Sequence, residues 1–168
     1  MTSAPVEIAL DMTWPALQQH VDAMAARIRA DGVPEVIVGI LRGGMVPAVM
    51  LAHQLGVRDV RGVEVTRTLT EAPNGAKTSV PRINNPASLG ALAPGADVLL
   101  VDDVAGSGDT VEHAAFLLPD AGRIRRAVVV VNTINWYAAH VESVAPEHVQ
   151  DYIGCSCAGW VHFPWEVR

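Results

Sequence analysis

Three short runs constrain this chain most: Val36–Leu41 (VIVGIL), Val98–Val101 (VLLV) and Ala127–Val131 (AVVVV) are almost wholly apolar and rich in β-branched residues. A strand with one wet face alternates apolar and polar residues. An unbroken apolar strand has both faces covered, as in a parallel sheet packed between helices. Each run is far shorter than the ~20 residues a membrane helix needs. Helical patterns stand between the runs. Trp14, Leu17, Val21, Met24 and Ile28 recur at three- and four-residue steps over residues 14–28, with Thr13 placed as N-cap and Gly32 beyond the end. A second helix follows Arg42-Gly43-Gly44 and runs to about Leu55, stopped by Gly56, and a third covers Thr110 to Leu118. Val63–Arg67 (VEVTR) reads as a strand by its alternation. Strands alternating with helices predict an α/β fold with a doubly wound, mainly parallel sheet.

The 168 residues suit one domain with a sizeable core and are too few for two ordinary ones, so residues 1–168 are read as a single domain. A net charge of -6 leaves no basic excess to meet nucleic acid or an anionic membrane, though an anionic small molecule needs only local amides and an arginine or two. Lys77 is the only lysine. Cys155 and Cys157 are too close for an unstrained bridge, and no histidine stands at zinc-ligand spacing from them. The first residues carry no basic stretch before an apolar one, so a cytoplasmic protein is expected. Residues 68–95 hold four prolines and three asparagines with little periodicity and read as a long loop, of the kind that is usually a functional lid or disordered.

The chemistry concentrates in Val98–Thr110, VLLVDDVAGSGDT. A buried strand delivers Asp102 and Asp103 at its carboxyl end, where open α/β sheets bind ligands. The turn over residues 104–109 is glycine-rich and opens a helix. Gly106 and Gly108 let the backbone approach an anion, and Ser107 and Thr110 offer hydroxyls beside the positive end of the helix dipole. Two acids next to an anion cradle suit a phosphorylated ligand that also brings sugar hydroxyls or magnesium. Neither the Gly-Lys-Ser/Thr of a Walker loop nor the GxGxxG of a dinucleotide fold is present.

This stretch resembles the signature of type I phosphoribosyltransferases. Val38–Val57 (VGILRGGMVPAVMLAHQLGV) is similar to the family's diphosphate loop and the helix after it. Trp160–Glu166 (WVHFPWE) is similar to the tail of its xanthine-guanine and archaeal hypoxanthine members, and Asp151-Tyr152 falls where those often carry the same pair. The likeness runs in order from about residue 14 to residue 166. It implies transfer of 5-phosphoribose from 5-phosphoribosyl 1-diphosphate to a purine-like base, with Mg2+ as cofactor. It also implies a role in nucleobase salvage and a homo-oligomer, dimeric or larger. On this resemblance Asp102 and Asp103 meet the ribose hydroxyls and the magnesium shell, while Ala105, Gly106, Ser107, Gly108, Asp109 and Thr110 cradle the 5-phosphate. Leu41, Arg42, Gly43 and Gly44 hold the diphosphate, with a cis peptide expected at Leu41-Arg42. Val104, Trp160 and Val161 line the base pocket. Residues 68–85, with Lys77 and Arg82, form a mobile hood, Lys77 acting at the reaction, and residues 142–168 are a tail contributing to the base pocket.

Two positions depart from the 6-oxopurine members. Their phosphate loop begins with an aspartate that contacts ring N7, and here that residue is Gly106. They read the 6-oxo group with a lysine after the next strand, where this chain has Asn132, Thr133 and Asn135. Both departures concern the base and neither touches the ribose phosphate, so hypoxanthine and guanine are expected to be poor acceptors. Two other readings remain: a non-catalytic sensor of phosphoribosyl diphosphate or a nucleotide with the same fold, and a flavodoxin-like binding domain, which Asp-Asp with Arg-Gly-Gly disfavours.

Overall fold

The structure, a computed structural model, describes residues 7–68, 77–140 and 144–167, without the side chains of residues 67, 68, 77 and 79. The elements in order are β1 (Ile8–Asp11), α1 (Trp14–Asp31), β2 (Val36–Leu41), α2 (Met45–Leu55), β3 (Asp59–Thr68), β4 (Lys77–Ile83), β5 (Asp97–Ala105), α3 (Asp109–Ala115), β6 (Arg123–Asn132), α4 (Thr133–Ala139), β7 (Tyr152–Cys157) and β8 (Trp160–His162), with single 3-10 turns at Pro86–Leu89 and Pro146–His148. Six strands form one sheet in the order β4-β3-β2-β5-β6-β7. All neighbours in it are parallel except β4, which runs antiparallel to β3. β1 and β8 make a separate parallel pair. Among the described residues no helix is long and apolar enough to cross a membrane.

The unbroken apolar runs are explained by two cores. Ile37, Leu99, Val101, Ala127 and Val129 point to one face, where they meet α1 and α2 through Leu17, Val21, Met24, Ile28 and Leu51. Their alternates Val36, Val38, Val98, Leu100 and Val128 point to the other, with Val111 of α3 and Trp136 of α4. Period two therefore survives inside each run, with both sets buried. The Thr13 hydroxyl caps α1 by accepting from the Ala16 amide at 3.3 Å, and Gly56, left-handed at φ 73°, ends α2.

Residues 68–95 are not one long loop. Within them β4 returns along β3 and a 3-10 turn follows. β4 is an edge strand, so Pro81 costs it little, and Val80 faces outward at 59% exposure. The stretch after β4 is pinned by side chains: Asn85 accepts from the Glu64 amide at 2.6 Å, and Arg61 donates to the carbonyls of Leu89 and Ala91. Residues 69–76 of the expected hood lie outside the described residues. The third helix begins one residue earlier than expected and closes at Ala115, with Leu118 buried in the turn beyond. β5 runs past the two acids to Ala105, because Asp102 and Val104 still pair with Val128 and Val130 of β6.

Candidate active site

Within the sheet the chain order reverses at the β2/β5 pair, since β3 lies on one side of β2 and β6 on the far side of β5. The two carboxyl ends open a crevice there, the place where open α/β sheets take ligands. Both sequence motifs arrive at this point. β2 ends in Leu41, Arg42, Gly43 and Gly44, and the Leu41-Arg42 peptide is cis. β5 ends in Asp102, Asp103, Val104 and Ala105.

The glycines show how tightly the two ends fit. A Cβ on Gly43 would stand 1.7 Å from Asp103 Oδ2 and 2.4 Å from its Cγ. One on Gly44 would stand 2.6 Å from the Val101 carbonyl, 2.7 Å from the Ile40 carbonyl and 2.8 Å from Asp102 Cα. Neither residue has a positive φ, so both are glycine for space: Gly44 to seat α2 between the strands, Gly43 to admit the carboxylate.

Asp102 is buried, at 6% exposure, and Asp103 half-buried. The Asp103 amide donates to Asp102 Oδ1 at 3.0 Å and the Val104 amide to Asp103 Oδ1 at 2.8 Å, which fixes both side chains at the strand end. Burial pushes both carboxyls up, Asp102 well above the ordinary carboxylate range, and the neighbouring Asp103 charge adds to it. Glu166, from the tail, lies close enough to push Asp103 up as well. No basic side chain pairs with either acid among the described residues. Two desolvated carboxylates without a cationic partner form a hard-oxygen donor pair. No third potential ligand gathers with them among the described residues. A pair of hard carboxylate oxygens is a donor set that could hold magnesium, which keeps waters and completes its shell with substrate oxygens on one or two protein carboxylates.

Ala105, Gly106, Ser107, Gly108, Asp109 and Thr110 form the turn into α3. Gly108 is left-handed at φ 82°, and a Cβ there would press on the Trp136 ring at 3.1 Å. Trp136 is fully buried beneath the loop, its indole donating to the Val144 carbonyl at 2.7 Å. Asp109 is tied inside the turn, accepting from the Ser107 hydroxyl at 2.8 Å. Gln150, 1% exposed, lies on the same underside, its Nε2 3.4 Å from where a Gly108 Cβ would be.

Of the residues expected to line a base pocket, Val104 is half-buried against the first core and Val161 is buried within it at 7% exposure, while Trp160 is half-buried in β8 opposite Ile8. Asn132 donates to the Gly159 carbonyl at 2.7 Å and Thr133 to the Cys157 carbonyl at 3.1 Å, so β8 is held against the start of α4. The Lys77 side chain lies outside the described residues. Asp151-Tyr152 sits at the other end of the sheet: the Tyr152 hydroxyl donates to Asp31 at 2.9 Å and accepts from the buried Arg125, and Asp151 accepts from the Arg126 amide at 2.7 Å. The sequence reading missed Trp136 and Gln150 under the loop and the reach of Glu166 to Asp103. A seven-residue helix and a turn residue carry no periodic signal.

Comparison with known proteins agrees with this geometry. Residues 12–168 match the family model described as the phosphoribosyl transferase domain. The chain is similar to a xanthine-guanine phosphoribosyltransferase of Ruegeria sp., 24% identical over 168 residues and covering 97% of this chain and 88% of the relative. The structure of a purine phosphoribosyltransferase from Pyrococcus horikoshii superposes with a TM-score of 0.73 at 28% identity, over 95% of this chain and 94% of that one. A Neisseria gonorrhoeae protein with bound ppGpp shares the fold at a TM-score of 0.73 and 23% identity, over 96% and 92% of the two chains. With its family model matched over nearly the whole chain, the protein belongs to the phosphoribosyl transferase domain family.

Proposed function

We propose that the protein transfers 5-phosphoribose from 5-phosphoribosyl 1-diphosphate to a purine-like nucleobase, releasing diphosphate, in a magnesium-dependent reaction. The observation that carries this reading is the meeting of the two motifs: Gly43 abuts the Asp103 carboxylate at the strand switch point. The backbone of Gly43 and Gly44 thereby lies beside the acids, which supports a donor with a diphosphate and a ribose on adjacent atoms.

Residues 105–110 hold the 5-phosphate, which fixes the sugar at its far end, and Asp102 and Asp103 accept from the ribose hydroxyls. The bond from C1 to the diphosphate oxygen breaks, a ring nitrogen of the base bonds to C1, and that nitrogen's proton leaves. Charge builds up on the departing diphosphate, and the Arg42 guanidinium with the adjacent amides stabilises it. Asp102 and Asp103 would hold magnesium, which would supply charge neutralisation at the same oxygens. Holding both ends of the donor converts the attack into a nearly unimolecular step.

Calorimetry of donor with magnesium, followed by diphosphate release across a panel of bases, tests the reading. Donor binding and diphosphate release with at least one base are expected, and both should be lost when Asp102 and Asp103 are replaced together by Asn. Tight donor binding without release for any base would favour the sensor reading, and the fold shared with the ppGpp-bound Neisseria gonorrhoeae protein makes ppGpp its first ligand to try.

A further inference from the structure

The sequence leaves three polar residues, Asn132, Thr133 and Asn135, where a base-reading side chain is expected, and the structure separates them. Asn132 is engaged at both ends, donating to the Gly159 carbonyl at 2.7 Å and accepting from the Asn135 amide at 3.2 Å. Thr133 donates to the Cys157 carbonyl at 3.1 Å. The Asn135 carboxamide, exposed on the first turn of α4, has no hydrogen bond to any described residue; only its backbone amide is in use.

That carboxamide faces Gly106. A Cβ built on Gly106 would stand 3.5 Å from Asn135 Cβ and 3.7 Å from its Nδ2, in ordinary contact. Gly106 is not at a positive φ. Its neighbours differ: Gly43 and Gly44 have no room for a side chain, and Gly108 is left-handed against Trp136. Nothing in the fold forces glycine at position 106. What its bare backbone does is leave the space beside the Asn135 carboxamide unfilled.

Resting on the transferase reading, we propose that Asn135 is the specificity residue for the acceptor, and that it selects a 6-aminopurine. A carboxamide carries one donor and one acceptor side by side. It matches an edge that pairs an unprotonated N7 with an exocyclic 6-amino group, the bidentate fit that asparagine makes to adenine. A 6-oxopurine presents two acceptors on that edge, so the carboxamide carbonyl opposes an oxygen. Asn135 takes up no proton; its part is orientation and choice of the base.

The test is steady-state turnover with donor and magnesium, comparing adenine, hypoxanthine, guanine and 7-deazaadenine, on the native protein and on Asn135→Ala and Gly106→Asp. The native protein should favour adenine over hypoxanthine by about 10- to 100-fold in kcat/KM, the discrimination of one bidentate pair. Asn135→Ala should erase most of that ratio, raising KM for adenine while the donor dissociation constant stays as in the native protein. 7-Deazaadenine should fall between the two bases, keeping the amino group and losing N7. Gly106→Asp, which sets a carboxylate against Asn135, should shift preference toward the oxopurines. An unchanged base ratio in Asn135→Ala, or hypoxanthine or guanine as the best acceptor of the native protein, overturns the inference while the transferase reading stands. Absence of donor binding in the native protein would instead bring down that reading, and this inference with it.

Discussion

Gly43→Ala should damage the site more than one methyl group suggests. The added carbon would stand 1.7 Å from Asp103 Oδ2, and contacts shorter than 3.0 Å are essentially never seen, so the carboxylate must withdraw by about 1.3 Å (3.0 − 1.7). The backbone cannot follow, because the residues on either side of Asp103 are registered on β6, Asp102 with Val128 and Val104 with Val130. The side chain must turn instead, which breaks its 2.8 Å bond from the Val104 amide. That bond is worth about 1 kcal/mol and the overpacking costs about 1–3 kcal/mol. A fall in Tm of roughly 5–12 °C follows for a chain of this size. An error of ~1 Å in a positioning group costs on the order of 100-fold in turnover. Gly56→Ala is the control: at φ 73° with nothing within 4 Å, it is strained by conformation alone and lies away from the acids. It should lose about 1–2 kcal/mol and keep native donor affinity. Differential scanning fluorimetry, calorimetry of donor with magnesium, and diphosphate release read the three quantities. If Gly43→Ala keeps donor affinity and turnover within about threefold of native, the Asp103 carboxylate has no part in donor binding and the reasoning fails.

Asp102 titrates higher in the folded chain than in the unfolded one, so between those two values the folded state holds the extra proton, and stability falls as pH rises from the ordinary carboxylate range toward the raised one. Asp102→Asn should remove that decline, giving a Tm gain near neutral pH that shrinks at about pH 4, while donor binding is lost. At a pH below the raised Asp102 value, donor and magnesium binding to the native protein should release a proton, seen as a binding enthalpy that varies with the ionisation enthalpy of the buffer. Arg125 is 2% exposed, bidentate to Asp97 at 2.7 and 3.1 Å and bonded to the Gly32 carbonyl and the Tyr152 hydroxyl. Arg125→Met should cost about 3 kcal/mol and leave donor affinity unchanged, because the cluster lies at the opposite end of the sheet from the acids.

How legible each element was in the sequence follows from how it is buried. β2, β5 and β6 are covered on both faces, so their signal is an apolar run that needs no partner to be recognised. β7 (YIGCSC) is the edge strand beyond β6, mostly half-exposed. Its Gly154 is needed where a Cβ would come within 2.6 Å of the Val129 carbonyl, so neither alternation nor an apolar run marks it. β1 and β8 are four and three residues long and exist only through each other, with the Asp11 carboxylate on His162 Nδ1 at 2.8 Å closing the pair. A contact between positions 11 and 162 leaves no local trace. α4, at seven residues, is too short for a helical period to show, and its one anchor, Trp136, is a single residue in the sequence.

The site divides along the same line. The proposed donor side consists of strand ends and the turns that leave them, where Asp-Asp, Gly-Gly and Gly-Ser-Gly are local words with a local physical meaning. The proposed base side is assembled from α4 and the β7–β8 tail, joined by the Asn132 bond to Gly159 and the Thr133 bond to Cys157, contacts across 27 and 24 residues. Side chains there are interchangeable on paper until the hydrogen bonds decide which ones are already occupied. The two halves rest on separate supports: Asp102 and Asp103 are set by β5 and by Gly43, Asn135 by the Asn132 cap of α4. A substitution at position 135 can therefore alter what α4 presents without moving the carboxylates. Of the two departures from the 6-oxopurine pattern, the one after β6 falls on that independent half, while Gly106 stands in the phosphate turn with room for a side chain, so a change of acceptor is physically compatible with an intact donor site.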